Sequence, residues 1–286
     1  MKYTIANFNK VFKTDDDCLA YVFKYRFGNP ACPKCENMAW YKVNNRKCWA
    51  CGKCGYQIHP LAGTIFHKSD TPLKSWFFAI YKFANSRNGV SAKELERDLG
   101  VTYKTAWRMA KQIRKLFESG SFKLNGTVEV DDSYMEKTTR HISKTETPKA
   151  LAMVQRGGAV KAVVIRKAGM LNALPMVQSE VEKGSNIMTD SAPLYIGNLP
   201  DYKHQAINHS KGHHARGEVH TQSVDSFFAQ VKRSISGTYH QVSEKYLQSY
   251  LDEFSWRLSN SRSGIPLFLL MLNRICQLPD VGVEKI

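Results

Sequence analysis

Apolar positions recur along this chain with two periods, and the change between them predicts its architecture. In the first half the period is helical. "PLKSWFFAIYKFANS" sets aromatic and aliphatic residues at helical spacing, which predicts a helix whose rings belong to a core. Residues 91–117, "SAKELERDLGVTYKTAWRMAKQIRKLF", predict two successive helices. Ser91 caps the first, Leu95 and Leu99 share one face, and Gly100 stops it. Thr102 caps the second, which turns Ala106, Met109, Ile113 and Leu116 inward and leaves Tyr103, Lys104, Thr105 and Arg108 outward near its start.

Later the period drops to two. "GTVEVDDSYM" alternates Val128 and Val130 in a strand that ends at Asp131 and Asp132, and "ALAMVQRGGAVKAVVIRKAG" predicts a hairpin about Gly157 and Gly158. "NIMTD" predicts a further short strand closed by Asp190. Helical spacing then returns with Val224, Phe227, Phe228, Val231 and Ile235, and again with Tyr246, Leu247, Tyr250 and Phe254 between Glu244 and Arg262. "IPLFLLMLNRIC" predicts a packed helix, since no apolar run reaches the ~18 residues that span a bilayer.

Composition narrows the function. Lys and Arg number 41 against 25 Asp and Glu, a net charge of +16 that implies a polyanionic partner, with nucleic acid the leading candidate. A hydrophobic share of 43% fills a core and excludes a disordered tail. "MKYTIANFNKVFKTDDD" has neither the apolar run nor the cleavage site of a secretory leader, so the expectation is a soluble intracellular protein, cytoplasmic and nucleoid-associated.

Five of the seven cysteines fall within 23 positions. "CPKC" and "CWACGKCGY" supply two close thiolate pairs, each able to take two corners of a tetrahedral Zn2+. The preferred ligands are Cys32, Cys35, Cys51 and Cys54, because Gly55 permits the tight turn after Cys54; the alternative uses Cys48 in place of Cys54. A disulfide framework would need an oxidising compartment. Lys34, Lys42, Arg46, Lys47 and Lys53 around the cysteines make the module a DNA contact or, equally, a solvated basic face. The following helix pair has the layout of a helix-turn-helix, whose second helix reads the major groove from its amino-terminal turn, although an ordinary helical hairpin shares the pattern.

The carboxylates carry the chemistry. Asp131 and Asp190 close two strands, while Asp225 and Lys232 lie seven apart on one side of a helix. Three such acids can hold two Mg2+ or Mn2+ ions about 4 Å apart, the arrangement that cuts and joins phosphodiesters. Taken singly, each Asp also suits a turn or cap. His209, His213, His214 and His220 crowd one stretch, where support of the active site or phosphate contact is weighed against a second zinc site.

Together these residues resemble the insertion-sequence transposases of the IS1595 group, the ISXO2-like family. The likeness runs from Cys32 to Arg262 through "CPKC", "CGKCGYQ", "LAGTIFHKSDTPLKSWFFAIY", "VEVDDSYM", "IMTDSAPLY", "INHSKG" and "HTQSVDSFFAQVKRSISGTYHQVSEKYLQSYLDEFSWRLSNSR". The resemblance implies an α/β, ribonuclease H-like DDE catalytic domain with Asp131, Asp190 and Asp225 as its acids and Lys232 as the associated lysine. It further implies action on terminal inverted repeats and target DNA, in a homo-oligomer assembled on double-stranded DNA. Asp190 and Asp225 lie 35 positions apart, close to common DDE spacing. The chain departs from the family pattern at Asp225, where Glu is usual, at Gln222, often Asn, and at "MEK", often a Gly-Gly pair. A non-catalytic DNA-binding protein derived from a transposase is the alternative. The expected layout is a helical lead-in at 1–27, a zinc ribbon at 28–60, a helix-turn-helix-like segment at 61–120 and a catalytic domain at 121–286.

Overall fold

The computed structural model describes residues 3–118, 120–135, 147–165, 169–190, 195–207 and 219–277, with backbone alone for 169–172. These residues form two compact units.

The first unit gathers the described residues of Met1–Ser86, Ala92–Leu116 and Gly264–Ile286. It opens with helices α1 (Ile5–Val11) and α2 (Asp15–Phe27), the latter started by a capping box in which Thr14 and Asp17 each bond the other's backbone amide. A three-stranded antiparallel sheet follows: β1 (Trp40–Lys42), β2 (Trp49–Cys51) and β3 (Gln57–Ile58). Phe23 of α2 stacks on Trp49 of β2 with ring centres 4.4 Å apart, which fastens this small sheet to a helix it could not replace with a core of its own. Helix α3 (Leu73–Asn85) buries Trp76, Phe77, Ile80 and Phe83, as its spacing predicts. Pro72 at its cap offers no side-chain acceptor, and the Asp15 carboxylate caps it instead, accepting from Leu73 N at 3.0 Å and Lys74 N at 2.8 Å. Helices α4 (Ala92–Leu99) and α5 (Tyr103–Arg114) form the expected pair. Gly100 between them takes a φ of 63°, and Thr102 accepts from Thr105 N.

The apolar helix at the end of the chain, Leu267–Gln277, also belongs here and not with residues 121–263. Its Phe268 lies 5.9 Å from the rings of both Phe8 and Phe12, and Phe12 meets Phe77 at 4.9 Å. The apolar spacing of this helix marks a buried face without naming its partner, and the ring cluster decides the assignment.

The second unit, Arg87–Ser91 with Phe117–Ser263, is built on a five-stranded sheet. Its strands are β4 (Thr127–Tyr134), β5 (Lys149–Gln155), β6 (Val160–Ile165), β7 (Asn186–Asp190) and β8 (Lys203–Ile207), in the order β6-β5-β4-β7-β8. The first three form an antiparallel meander, whereas β7 and β8 run parallel to β4. Helix α6 (Gly169–Glu180) covers one face through Ala173 and Val177, which pack with Val128, Val130, Leu151, Met153 and Ile187. Helices α7 (Gln222–Ser234) and α8 (Glu244–Asn260) cover the other, packing Val224, Phe227, Val231 and Leu251 on Ala150, Ala152 and Val154. The helix at Leu267–Gln277 completes the series as α9.

One strand departs from expectation. β4 does not end at Asp131 and Asp132 but continues to Tyr134, because its pairing with β5 runs on through Asp131↔Ala152 to Tyr134↔Lys149. Only its pairing with β7 stops at Val130↔Thr189.

After α7 the chain makes a π-helical turn, Ile235–Tyr239, that aims Tyr239 at residues 87–91. Its hydroxyl oxygen accepts from Val90 N at 3.1 Å and its proton is directed to buried Glu253 at 3.5 Å. Gly89 makes this approach possible: its φ is +83°, and a Cβ there would lie 1.7 Å from the Tyr239 oxygen. Gly89→Ala should therefore destabilise the protein by about 2 kcal/mol or more, a loss read directly from urea unfolding curves.

Candidate active site and cysteine centre

The cysteine pairs of the small sheet occupy two similar turns. Glu36 N donates to Cys32 O at 2.8 Å and Gly55 N donates to Cys51 O at 3.0 Å. The residue after each second cysteine is left-handed, Glu36 at φ 60° and Gly55 at φ 73°. The Sγ atoms of Cys32, Cys35, Cys51 and Cys54 all lie within 4.8 Å of one another, with Cys32 to Cys54 at 3.6 Å and Cys35 to Cys51 at 3.5 Å. A tetrahedron of sulfurs about 2.3 Å from zinc has edges of roughly 3.8 Å, so the four thiols fit the ion. Cys48 stays outside, its sulfur 3.7 Å from Gln57. Burial opposes ionisation of Cys51, yet hydrogen bonds to its sulfur from Asn37 Nδ2 and the Cys54 and Lys53 amides outweigh it and bring the thiol down to about 6. Cys35, 3.5 Å away, is pushed up instead: a backbone hydrogen bond from Asn37 opposes the shift, but burial and hydrogen bonding to the neighbouring sulfurs outweigh it, so the pair favours one thiolate over two.

In the second unit the acids meet on the α7 face of the sheet. Side chains alternate along β4, so Val128 and Val130 enter the core under α6 while Glu129 and Asp131 face α7. The register Val130↔Thr189 sets Asp190 beside Asp131 on that face. Asp225 stands in the first turn of α7, where Thr221 Oγ1 donates to its Oδ2 at 3.3 Å. Burial above all, with repulsion from Asp190, Asp132 and Asp225, pushes the Asp131 carboxyl up to about 7. The three predicted acids therefore share one electrostatic environment. They are not drawn as tight as the thiols: among the described residues, only the four cysteines gather closely enough to hold an ion as they stand. Asp132 faces the other way and pairs with Lys149 at 2.7 Å. Lys232 is exposed two turns along α7 from Asp225.

Glu129 is the residue that sequence reasoning missed. It is fully buried, and its oxygens accept from Arg156 Nε at 2.7 Å, Ser223 N at 2.6 Å, Ser223 Oγ at 3.0 Å and Val224 N at 3.2 Å. His220 Nδ1 lies 3.3 Å away, and Arg156 Nη2 also donates to His220 O at 3.1 Å. A strand carboxylate thus closes the open amides of α7 one turn from Asp225. The signal was present in "VEVDD", where an acid two places before Asp131 must share its face. Of the histidine cluster, only His220 is among the described residues; His209, His213 and His214 lie outside them.

At the helix pair, Tyr103 and Lys104 are exposed at the start of α5 and Thr105 is half-buried. Arg108 is exposed too, but its guanidinium lies 5.8 Å from the Trp76 ring centre and donates to Ser69 Oγ at 3.1 Å.

Two outcomes follow. Glu129→Gln strips one acceptor from a buried charged network and should cost about 3 kcal/mol in urea unfolding. Asp131 holds its proton to about pH 7 in the native state but releases it near 3.9 when unfolded, so its contribution to stability falls as pH rises through 7. Asp131→Asn should accordingly raise the melting temperature of metal-free protein at pH 8, with the gain shrinking toward pH 4.

Comparison with known proteins places this geometry in context. Residues 123–259 match the family model of the ISXO2-like transposase domain, and residues 13–57 match a transposase zinc-ribbon domain. A relative described as "Uncharacterized protein in transposable element ISH50", from Halobacterium salinarum, is 22% identical over 252 residues, covering 79% of this chain and 84% of the relative. The first match contains β4, β7 and α7; the second contains all four clustered cysteines. Residues 123–259 thus carry an ISXO2-like transposase domain and residues 13–57 a transposase zinc-ribbon domain, two modules of one transposase group in a single chain.

Proposed function

We propose that this chain is a DDE-type DNA transposase that cuts the ends of an insertion sequence and joins the freed 3′-hydroxyls to target DNA. The observation that carries the reading is the placement of Asp131 and Asp190 on the sheet face that α7 covers, with Asp225 in the first turn of α7, where burial first and the neighbouring acids second raise the Asp131 carboxyl. An α/β sheet with the first acid on its central strand supports a ribonuclease H-like domain. Bound Mg2+ or Mn2+ would supply activation of the attacking oxygen and neutralisation of charge at the leaving oxygen. The three carboxylates would hold those ions, and Lys232 would steady a phosphate from the exposed side of α7.

In the first step water attacks phosphorus at the element end, a P–O bond forms and the 3′-oxygen leaves as a hydroxyl. In the second that hydroxyl attacks a target phosphodiester, exchanging one P–O bond for another without a covalent enzyme intermediate. The substrates would be double-stranded terminal inverted repeats and target DNA, bound by a homo-oligomer in the cytoplasm at the nucleoid. Zn2+ on Cys32, Cys35, Cys51 and Cys54 would hold the ribbon together, and the amino-terminal turn of α5, with Tyr103, Lys104 and Thr105, would enter the major groove. None of the described helices is long and apolar enough to cross a membrane.

Asp225, where the family usually carries Glu, favours the second reading of a DNA-binding protein without catalysis. Excision of a marked element from a plasmid separates the two. On the transposase reading the native protein excises and Asp190→Asn reduces excision by at least about a thousandfold, as loss of a ligand to reacting charge does. Inert native protein restored by Asp225→Glu, or inert in both forms while DNA binding persists, supports the second reading.

A further inference from the structure

Between β3 and α3, a cavity of about 560 Å³ opens in the first unit, walled by Lys47, His59, His67, Lys68, Ser69 and Asp70. Ser69 organises it. The residue is nine-tenths buried, and its hydroxyl oxygen accepts from Trp76 Nε1 at 2.9 Å and from Arg108 Nη2 at 3.1 Å. Both lone pairs are thereby used, so the hydroxyl can act on a further group only by donating its proton. The Ser69 carbonyl accepts from Lys47 Nζ at 3.0 Å. One residue therefore ties a lysine of the cysteine ribbon, a tryptophan of α3 and an arginine of α5. Lys68, beside it, is exposed and held in the left-handed region at φ 52°, a conformation that costs a lysine energy.

We infer that this pocket binds a backbone phosphate of duplex DNA, with Arg108, Lys68 and the Ser69 hydroxyl as its donors. The inference rests on the DNA-binding reading above and gives Arg108 a different role from the base reader expected of an outward helix residue. Reading guanine requires a guanidinium free to reach out and present two parallel N–H groups to a base edge. Here the guanidinium lies against Trp76 with one N–H committed to Ser69, which holds the group beside a residue of the pocket wall. A rigid fork beside a lysine and a hydroxyl donor suits a tetrahedral, doubly accepting anion. Two permanent cations of the wall, Lys47 and Lys68, outnumber the single carboxylate of Asp70, and Arg108 adds a third positive charge through its bond to Ser69, a balance that favours an anion over a metal cation. Ribbon and helix pair would thus grip one phosphate between them, and the phosphate would set the register from which the first turn of α5 meets the groove.

The test measures binding of the full-length protein to two labelled duplexes, one taken from DNA flanking its coding region and one of scrambled sequence, across a series of salt concentrations. Arg108→Ala and Lys68→Gln should each weaken binding to both duplexes by the same factor, roughly tenfold, and lower the slope of log affinity against log salt by about one. Lys68→Gln changes an exposed side chain, so it reads the site even where Arg108→Ala disturbs the packing on Trp76. Weakening confined to the flanking duplex at unchanged slope makes Arg108 a base reader and overturns the site. Native protein that binds both duplexes while the variants match it also overturns the site but leaves the DNA-binding reading standing. Native protein that binds neither duplex overturns both.

Discussion

A buried carboxylate on the central strand governs the geometry of the second unit. Glu129 has no access to solvent, and a charge in that position is tolerated only when every lone pair is answered. Arg156 answers from the β5 end, and the open amides of Ser223 and Val224 answer from α7. Since Glu129 and Asp131 point the same way from one strand, fastening the helix to the first fixes which turn of the helix confronts the second. Three mutually repelling acids are thus held on one face by a fourth that is fully compensated.

How much of this could be read from residue order differs by element. Periodicity located α3, α4, α5, α7, α8 and the hairpin of β5 and β6, because each buries one face and that face sets the spacing. That Asp131 and Asp190 lie on neighbouring strands was legible from two strands that both carry acids near their ends. The full length of β4 was not, since a ladder continuing on one side only leaves no mark in alternation. Nor was the role of Glu129, whose α7 partners Ser223 and Val224 lie more than ninety positions away. Long-range hydrogen bonds are set by topology, and sequence spacing reports only local geometry.

The cysteines were more transparent. Two C-x-x-C pairs determine four ligands almost without context, and Gly55 after Cys54 marked which cysteine completes the set. Arg108 shows the opposite case: its outward helical position was visible, but its tie to Ser69 depends on a loop 39 positions earlier.

The placement of α9 bears on how the chain comes to be folded. During synthesis Phe8, Phe12 and Phe77 emerge early, yet Phe268 joins them only after the whole sheet unit has been made. The aromatic cluster therefore waits with an open side while more than a hundred residues are added, and the unit that begins first is sealed last. Closing so long an interval slows assembly far more than it weakens the product. A nascent chain of this kind spends its vulnerable period with the cysteine-bearing unit incomplete, and the emergence of α9, not of the ribbon, marks the moment at which the aromatic cluster can close.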